Sequence, residues 1–160
     1  MAIVISGTDN SIKKSDNTAG IGIGGRPSFH ATRTLGHIYG NGGSDIVIPF
    51  DNVKYNYGGG YNALTGRFTA PFTGVYYFQS GGMSINYLSG DHQLSLRLNG
   101  SRYNTSNPGA TGNAAPFCSI AIMSLVAGDY VEGVSYDSNT SNGFYGYGPY
   151  WNWFCGHLIG

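Results

Sequence analysis

Four histidines, two cysteines and a few carboxylates are the side chains of this 160-residue sequence that could do chemistry. His30, His37, His92 and His157 sit in unrelated contexts, and none belongs to an H-E-x-x-H or other zinc spacing. Cys118 and Cys155 are far apart and carry no metal-binding or redox spacing either. No G-x-S-x-G elbow is present, and "GIGIGG" shares only its glycines with a phosphate loop, since no βαβ pattern surrounds it. A triad could still assemble in space, but no motif points to one, and the expectation is a protein that is not an enzyme and needs no cofactor. Calcium is the one ion the residue types could suit. Asp9, Asp16 and Asp137 lie in Asn-, Ser- and Thr-rich stretches able to offer hard oxygen ligands, although no dense acidic cluster forms. Asp129, directly after Gly128, fits a turn residue that bonds its own backbone.

The stronger chemical signal is recognition. The stretch "GFYGYGPYWNW" sets Tyr145, Tyr147, Tyr150, Trp151 and Trp153 among glycines. Tyrosines on loops can stack on sugars or proteins while their hydroxyls make directional bonds, and the stiff ring keeps the ordering cost low. Tyr145, Tyr147 and Tyr150 therefore form the candidate recognition loop. The two tryptophans share a strand phase, which suits packing against another chain better than ligand contact.

These residues need a scaffold, and the composition says which kind. Eight basic and eight acidic side chains cancel, so no field favours nucleic acid or an anionic membrane. Charged residues are only 10% of the chain, and solubility falls to Asn, Ser, Thr and Gly. Twenty-seven glycines without a G-X-Y period, with thirteen Tyr and eight Phe, describe short strands joined by sharp turns. The opening "MAIVISG" holds an apolar run too short for a signal peptide or a membrane span. Residues 1–25 read as a linker or attachment segment, with a flexible leader as the alternative, and residues 26–160 as one domain.

Within that domain a strand from Val75 sends Tyr76 and Phe78 to one side and Val75, Tyr77 and Gln79 to the other. Gly81-Gly82 predicts a bulge, after which Met83, Ile85 and Tyr87 resume the alternation in a different phase. "HQLSLRLNG" points Leu94, Leu96 and Leu98 inward and ends on Asn99-Gly100, a type I′ turn signal. Pro71 marks an edge or turn after a short strand, residues 107–115 form a surface loop, and no stretch carries a helical period. The expected fold class is all-β, a two-sheet sandwich or jelly roll.

One set of residues goes further. Phe50, Tyr61, Thr65, Gly66, Phe68, Thr69, Pro71, Gly74, Tyr76 and Phe78 keep the order and spacing of a known pattern. "LSLRLNG", "LVAGDYV" and a closing Phe154, Gly156 and Leu158 continue it. Over roughly residues 27–160 the chain resembles the globular C1q domain, a jelly roll shared with the tumour necrosis factor superfamily. It departs from secreted animal members in lacking a collagen stalk and in the long Gly-Tyr loop before the last strand. The Asn-, Ser-, Thr- and Gly-rich lead segment is similar to linkers of bacteriophage fibres, which implies a virion surface or extracellular appendage as the location.

The outward positions call for a partner. Phe117, Ala121, Met123 and Leu125 share the inward side of one strand, leaving Cys118, Ile120, Ile122 and Val126 outward. In the last strand Phe154, Gly156 and Leu158 face in, so Trp151, Trp153, Cys155 and His157 face out. Loops of the same chain could cover some of these, but several in register fit a subunit interface. The C1q resemblance implies a compact homotrimer, with Cys118, Ile120, Ile122, Trp151 and Trp153 in the interface. It also places a third strand between the two cysteines, which argues against an intrachain disulfide and leaves open an end-of-strand shift or a bond to another subunit's cysteine. The expected function is a homotrimeric head that recognises a host-surface glycan or protein, held to a virion or fibre protein through residues 1–25. The alternative is a purely structural capsid or fibre component.

Overall fold

The computed structural model describes residues 3–5, 12–14, 26–86, 90–107 and 114–160, the first two stretches as backbone only. Asp9, Asp16, Tyr87 and most of the 107–115 loop lie outside the described residues. Strands β1 (Ile3–Ile5) and β2 (Ile12–Lys14) pair antiparallel with each other. The domain then contributes β3 (Ser28–Thr32), β4 (Ile38–Tyr39), β5 (Asp45–Val47), β6 (Asn52–Tyr57), β7 (Tyr61–Asn62) and β8 (Arg67–Thr69). It continues with β9 (Gly74–Ile85), β10 (His92–Leu98), β11 (Ser101–Ser106), β12 (Pro116–Leu125), β13 (Tyr130–Asp137), β14 (Gly143–Phe144) and β15 (Trp153–Leu158). Among the described residues no helix is long and apolar enough to cross a membrane.

Two antiparallel sheets face each other. The first runs β12–β9–β15–β3–β6, with β14 and β4 continuing along the far end of β9. The second runs β11–β10–β13, and β13 pairs further with β5 and with β8, which pairs β7. Alternation dictates what lies between them. Tyr76 and Phe78 of β9, Leu94 and Leu96 of β10, Met123 and Leu125 of β12 and Phe154 of β15 are all buried. Phe29 sits at the centre of an aromatic cluster, stacked on Tyr61 at 4.7 Å and Phe68 at 5.1 Å, with Phe154 edge-on at 4.8 Å. Tyr61 satisfies its hydroxyl in that cluster by donating to the Phe50 carbonyl and accepting from the Phe50 amide. Burial drives its pKa far above the usual tyrosine value.

The turn chemistry read from sequence holds at Asn99-Gly100, where both residues have positive φ (50° and 83°) between paired β10 and β11. Asp129 accepts from the Val126 amide in its own turn, as expected, and from Asn99 Nδ2. Pro71 lies in the bend after β8. The bulge expected at Gly81-Gly82 is corrected: β9 pairs with β12 in continuous register from Gly74 to Met83. The two glycines make room for rings instead. A Cβ on Gly81 would lie 2.2 Å from Trp153, and one on Gly82 2.3 Å from Phe144. Uninterrupted alternation then keeps Met83 and Ile85 opposite in phase to Tyr76 and Phe78.

Both free edges at one side of the sandwich are tied together. Asn104 and Tyr103 of β11 donate to the Ile120 and Ile122 carbonyls of edge strand β12, the second at 3.2 Å, and Ser119 Oγ donates back to the Asn104 carbonyl. Side chains thus fill backbone acceptors that would otherwise template another strand. Removing Phe29 (Phe29→Ala) should cost about 3–5 kcal/mol in denaturant titration at fixed protein concentration. Tyr103→Phe, which removes one edge hydrogen bond, should cost only about 0.5–1.5 kcal/mol.

Candidate functional site

The outer faces of the two sheets differ in chemistry. On the second sheet, Glu132 is wholly buried beneath two guanidiniums, with Arg67 Nε at 2.6 Å and Arg97 Nη2 at 2.7 Å. Arg102 forks onto Asp45 and reaches Gln93 Oε1 at 2.7 Å. Arg67 lies over Tyr130 and Arg102 over Tyr136, at 4.2 and 4.9 Å from the ring centroids. Such a lattice of ion pairs and cation–π contacts is a finished, water-facing surface.

The first sheet's outer face is unlike it. Cross-strand register aligns Ile122, Tyr77, His157, Ser28 and Tyr57 in one row. Ile120, Gln79, Cys155, His30 and Tyr55 form the next, and Cys118, Gly81 and Trp153 the third. No row contains an Asp, Glu, Lys or Arg. Ile122 is 60% exposed and Ile120 47% in the single chain. The polar groups of the face partner one another: Tyr77 Oη donates to Gln79 Oε1 at 3.1 Å, and Gln79 Nε2 to Cys118 Sγ at 3.2 Å. Lys54 stands close enough to His30 to add to the burial that lowers that imidazole's pKa.

Cys118 and Cys155 flank β9 opposite Gly81 and Gln79, and both are free thiols. The intervening strand separates them, as the family resemblance implied. Burial first, and then the neighbouring Cys118, pushes the Cys155 thiol up to about 11.

The tyrosine loop rises from the same sheet, and one residue fixes it. Trp151 and Trp153 point outward, so alternation sends Asn152 inward, where an amide must be bonded. Asn152 Oδ1 accepts from the Arg33 amide, and its Nδ2 bonds the carbonyls of Arg33, Tyr145 and Gly148 at 3.2–3.4 Å. The "W-N-W" pattern carried that signal, though the sequence reading did not use it. Arg33 in turn donates to the Gly36 and Pro49 carbonyls, each at 2.8 Å. Asp51 accepts from the Thr34 hydroxyl and amide. Burial acts to raise its carboxyl, but those bonds outweigh it and hold the pKa below the usual range.

On this frame Tyr145 is half-buried, Tyr147 is 56% exposed and Tyr150 87% exposed. Tyr145 and Tyr147 gather with Tyr39 around His37, with ring centroids 4.5–6.0 Å from the imidazole. Tyr150 stands apart, beside Trp151 and Trp153. Those three rings wall a cleft of about 490 Å³ with Met83, Pro116 and Phe117. A second cleft of about 410 Å³ shares Tyr150 and Trp153 and is lined by His30, Thr32, Gln79, Asn152 and Cys155.

Asp137 is corrected as a calcium ligand. It is buried, bonded to His92 Nδ1, and accepts from Ser135 Oγ at 3.3 Å. His92 shares the inward phase of Leu94 and Leu96, which is how sequence could have flagged a buried pair. Among the described residues no group of three or more His, Cys, Asp or Glu side chains could hold a metal ion.

Residues 28–159 match the C1q domain family. This chain belongs to it. As a C1q domain it is a non-catalytic module of recognition or structural type, and not an enzyme. The mouse and human complement C1q tumor necrosis factor-related protein 2 are each 33% identical over 116 residues, 71% of this chain and 38–39% of theirs. The chain therefore spans well under half the length of these curated relatives. The globular domain of zebrafish complement 1qA superposes with a TM-score of 0.64 at 18% identity, covering 84% of this chain and 98% of that one. Murine APRIL gives 0.65 at 11% identity, covering 84% and 99%. At such identities the likeness extends to the fold alone, a C1q/TNF two-sheet sandwich.

The depressed acidity of Cys155 gives a direct test of the face's geometry. Alkylation of Cys155 by iodoacetamide at about pH 8 should run roughly a hundredfold slower than for a model thiol, because only thiolate reacts. Denaturant should restore the ordinary rate, as read by peptide mass spectrometry.

Proposed function

We propose that this C1q domain works as a homotrimeric recognition head, its copies joined through the uncharged outer face of the first sheet. The observation that carries the reading is the contrast between the two sheets. One outer face is closed by ion pairs, while the other aligns Ile120, Ile122, Trp153, Tyr55 and Tyr57 without a charge. Burying each such side chain is worth about 1.5–3 kcal/mol. Several per chain can offset the roughly 4–15 kcal/mol lost on association. Cys118, Ile120, Ile122, Trp151 and Trp153 are the proposed contacts between copies, and family membership favours three copies over two.

The tyrosine loop is the proposed contact with a glycan or protein surface. Tyr147 and Tyr150 present exposed rings from a backbone that Asn152 pins, so little order is lost on binding. Three identical weak sites on one particle add through multivalency. Attachment to a virion or other extracellular appendage through residues 1–25 belongs to the same proposal. It is supported by the polar composition of that segment, and the relatives' names offer no parallel to it.

Two variants separate the parts. Tyr147→Ala with Tyr150→Ala should weaken binding to intact cells or to a glycan array by roughly tenfold or more, with native mass unchanged. Unaltered binding would remove the loop from the proposal. Ile120→Asp with Ile122→Asp should leave a folded monomer, since buried carboxylates without partners oppose association. A variant that keeps the wild-type mass would remove those two residues from the interface.

A further inference from the structure

We propose that His37 is an acid-released latch on the segment that presents Tyr145 and Tyr147. Its geometry is specific. The Gly146 amide donates to His37 Nδ1 at 3.2 Å, which fixes the neutral imidazole with its proton on Nε2. The bond closes a tight backbone contact, because a Cβ on Gly146 would lie 1.6 Å from the Gly36 carbonyl oxygen. Gly146 is buried, so its N–H loses its protein acceptor at a site with little access for water if the imidazole stops accepting.

Protonation makes both ring nitrogens donors. Nδ1–H would then confront the Gly146 N–H, and the amide would lose its acceptor. The groups facing the imidazole reinforce this. Arg33 offers the freed amide no acceptor: its Nε, bonded to the Gly36 carbonyl, would lie 3.0 Å from a Cβ on Gly146. Tyr39, Tyr145 and Tyr147 supply rings and no negative charge. Asp51, the nearby carboxylate, is committed to Thr34 and favours the charge on Arg33. Asn152 still holds the Tyr145 and Gly148 carbonyls, so the latch frees the centre of the segment and not its ends.

The direction follows from burial, which lowers the His37 pKa below the usual imidazole value. The unfolded chain, with an ordinary imidazole, takes up the proton first. The stability contributed by the latched form is therefore complete above the ordinary imidazole pKa and is lost as pH falls through the depressed one. A consequence for ligand binding rests on the recognition role proposed above, whereas release of the segment does not.

The test is amide exchange at Gly146 in the full ¹⁵N-labelled chain, corrected for the intrinsic effect of pH, at about pH 7.5 and about pH 4.5. Protection should fall roughly fivefold or more in acid, with a midpoint matching the titration of the His37 ring. In His37→Asn, whose side-chain oxygen can accept the same bond and does not titrate, protection at the two pH values should be equal. Unchanged wild-type protection, a midpoint apart from that of His37, or an equal loss in the Asn variant would each overturn the latch. Because no ligand is added, failure here is distinct from failure of the recognition role.

Discussion

A β-sandwich made of alternating strands has two outer faces, and water tolerates only what is polar or sparse on each. In this C1q domain the second sheet meets that condition with guanidinium, carboxylate and tyrosine side chains locked together across five strands. The first sheet does not. Its rows set isoleucine, tyrosine, tryptophan and cysteine side chains among Gln79, Ser28, His30 and His157 without an acidic residue, Lys or Arg, and Tyr77, Gln79 and Cys118 bond to one another. Exclusion of water from that face is the constraint on which the proposed assembly depends, and the alignment of its apolar side chains is set by cross-strand register and not by any single residue.

The same register builds the loop. Strand β15 begins at Trp153, and the step that sends both tryptophans outward turns Asn152 into the interior. There it ties the loop backbone to Arg33. Packing on the sheet face and presentation of Tyr147 and Tyr150 are therefore two outcomes of one alternation. A change that shifts β15 by one residue would disturb both, because it would exchange the inward and outward sets. Edge strand β12 is coupled to the face in a similar way: its carbonyls are capped by β11 while its isoleucines remain uncovered. The fold blocks growth of the sheet by strand addition there but leaves the face open to side-chain packing.

Much of this was legible in the sequence because it depends on a period of two. The inward series through Phe117, Met123 and Leu125, the outward isoleucines, and the separation of Cys118 from Cys155 by a third strand all follow from alternation or from the family pattern. The Gly81-Gly82 bulge was misread because missing side chains look like a break in a strand, whereas here rings from Trp153 and Phe144 occupy the space. Contacts between residues distant in sequence were not legible. Glu132 meets Arg67 and Arg97 across sequence separations of 65 and 35, and Gly146 meets His37 across 109. No local pattern encodes those meetings, which arise only once the sheets are stacked. The buried His92–Asp137 pair lay between these cases, since phase marked His92 as inward but could not name its partner.

Sedimentation equilibrium of the unmodified chain at micromolar concentration tests the central claim most directly. The account predicts a single species of about three times the 17.0 kDa chain mass. A folded, non-associating particle of one chain mass over the same range would show that the uncharged face of the first sheet tolerates water, and would contradict it.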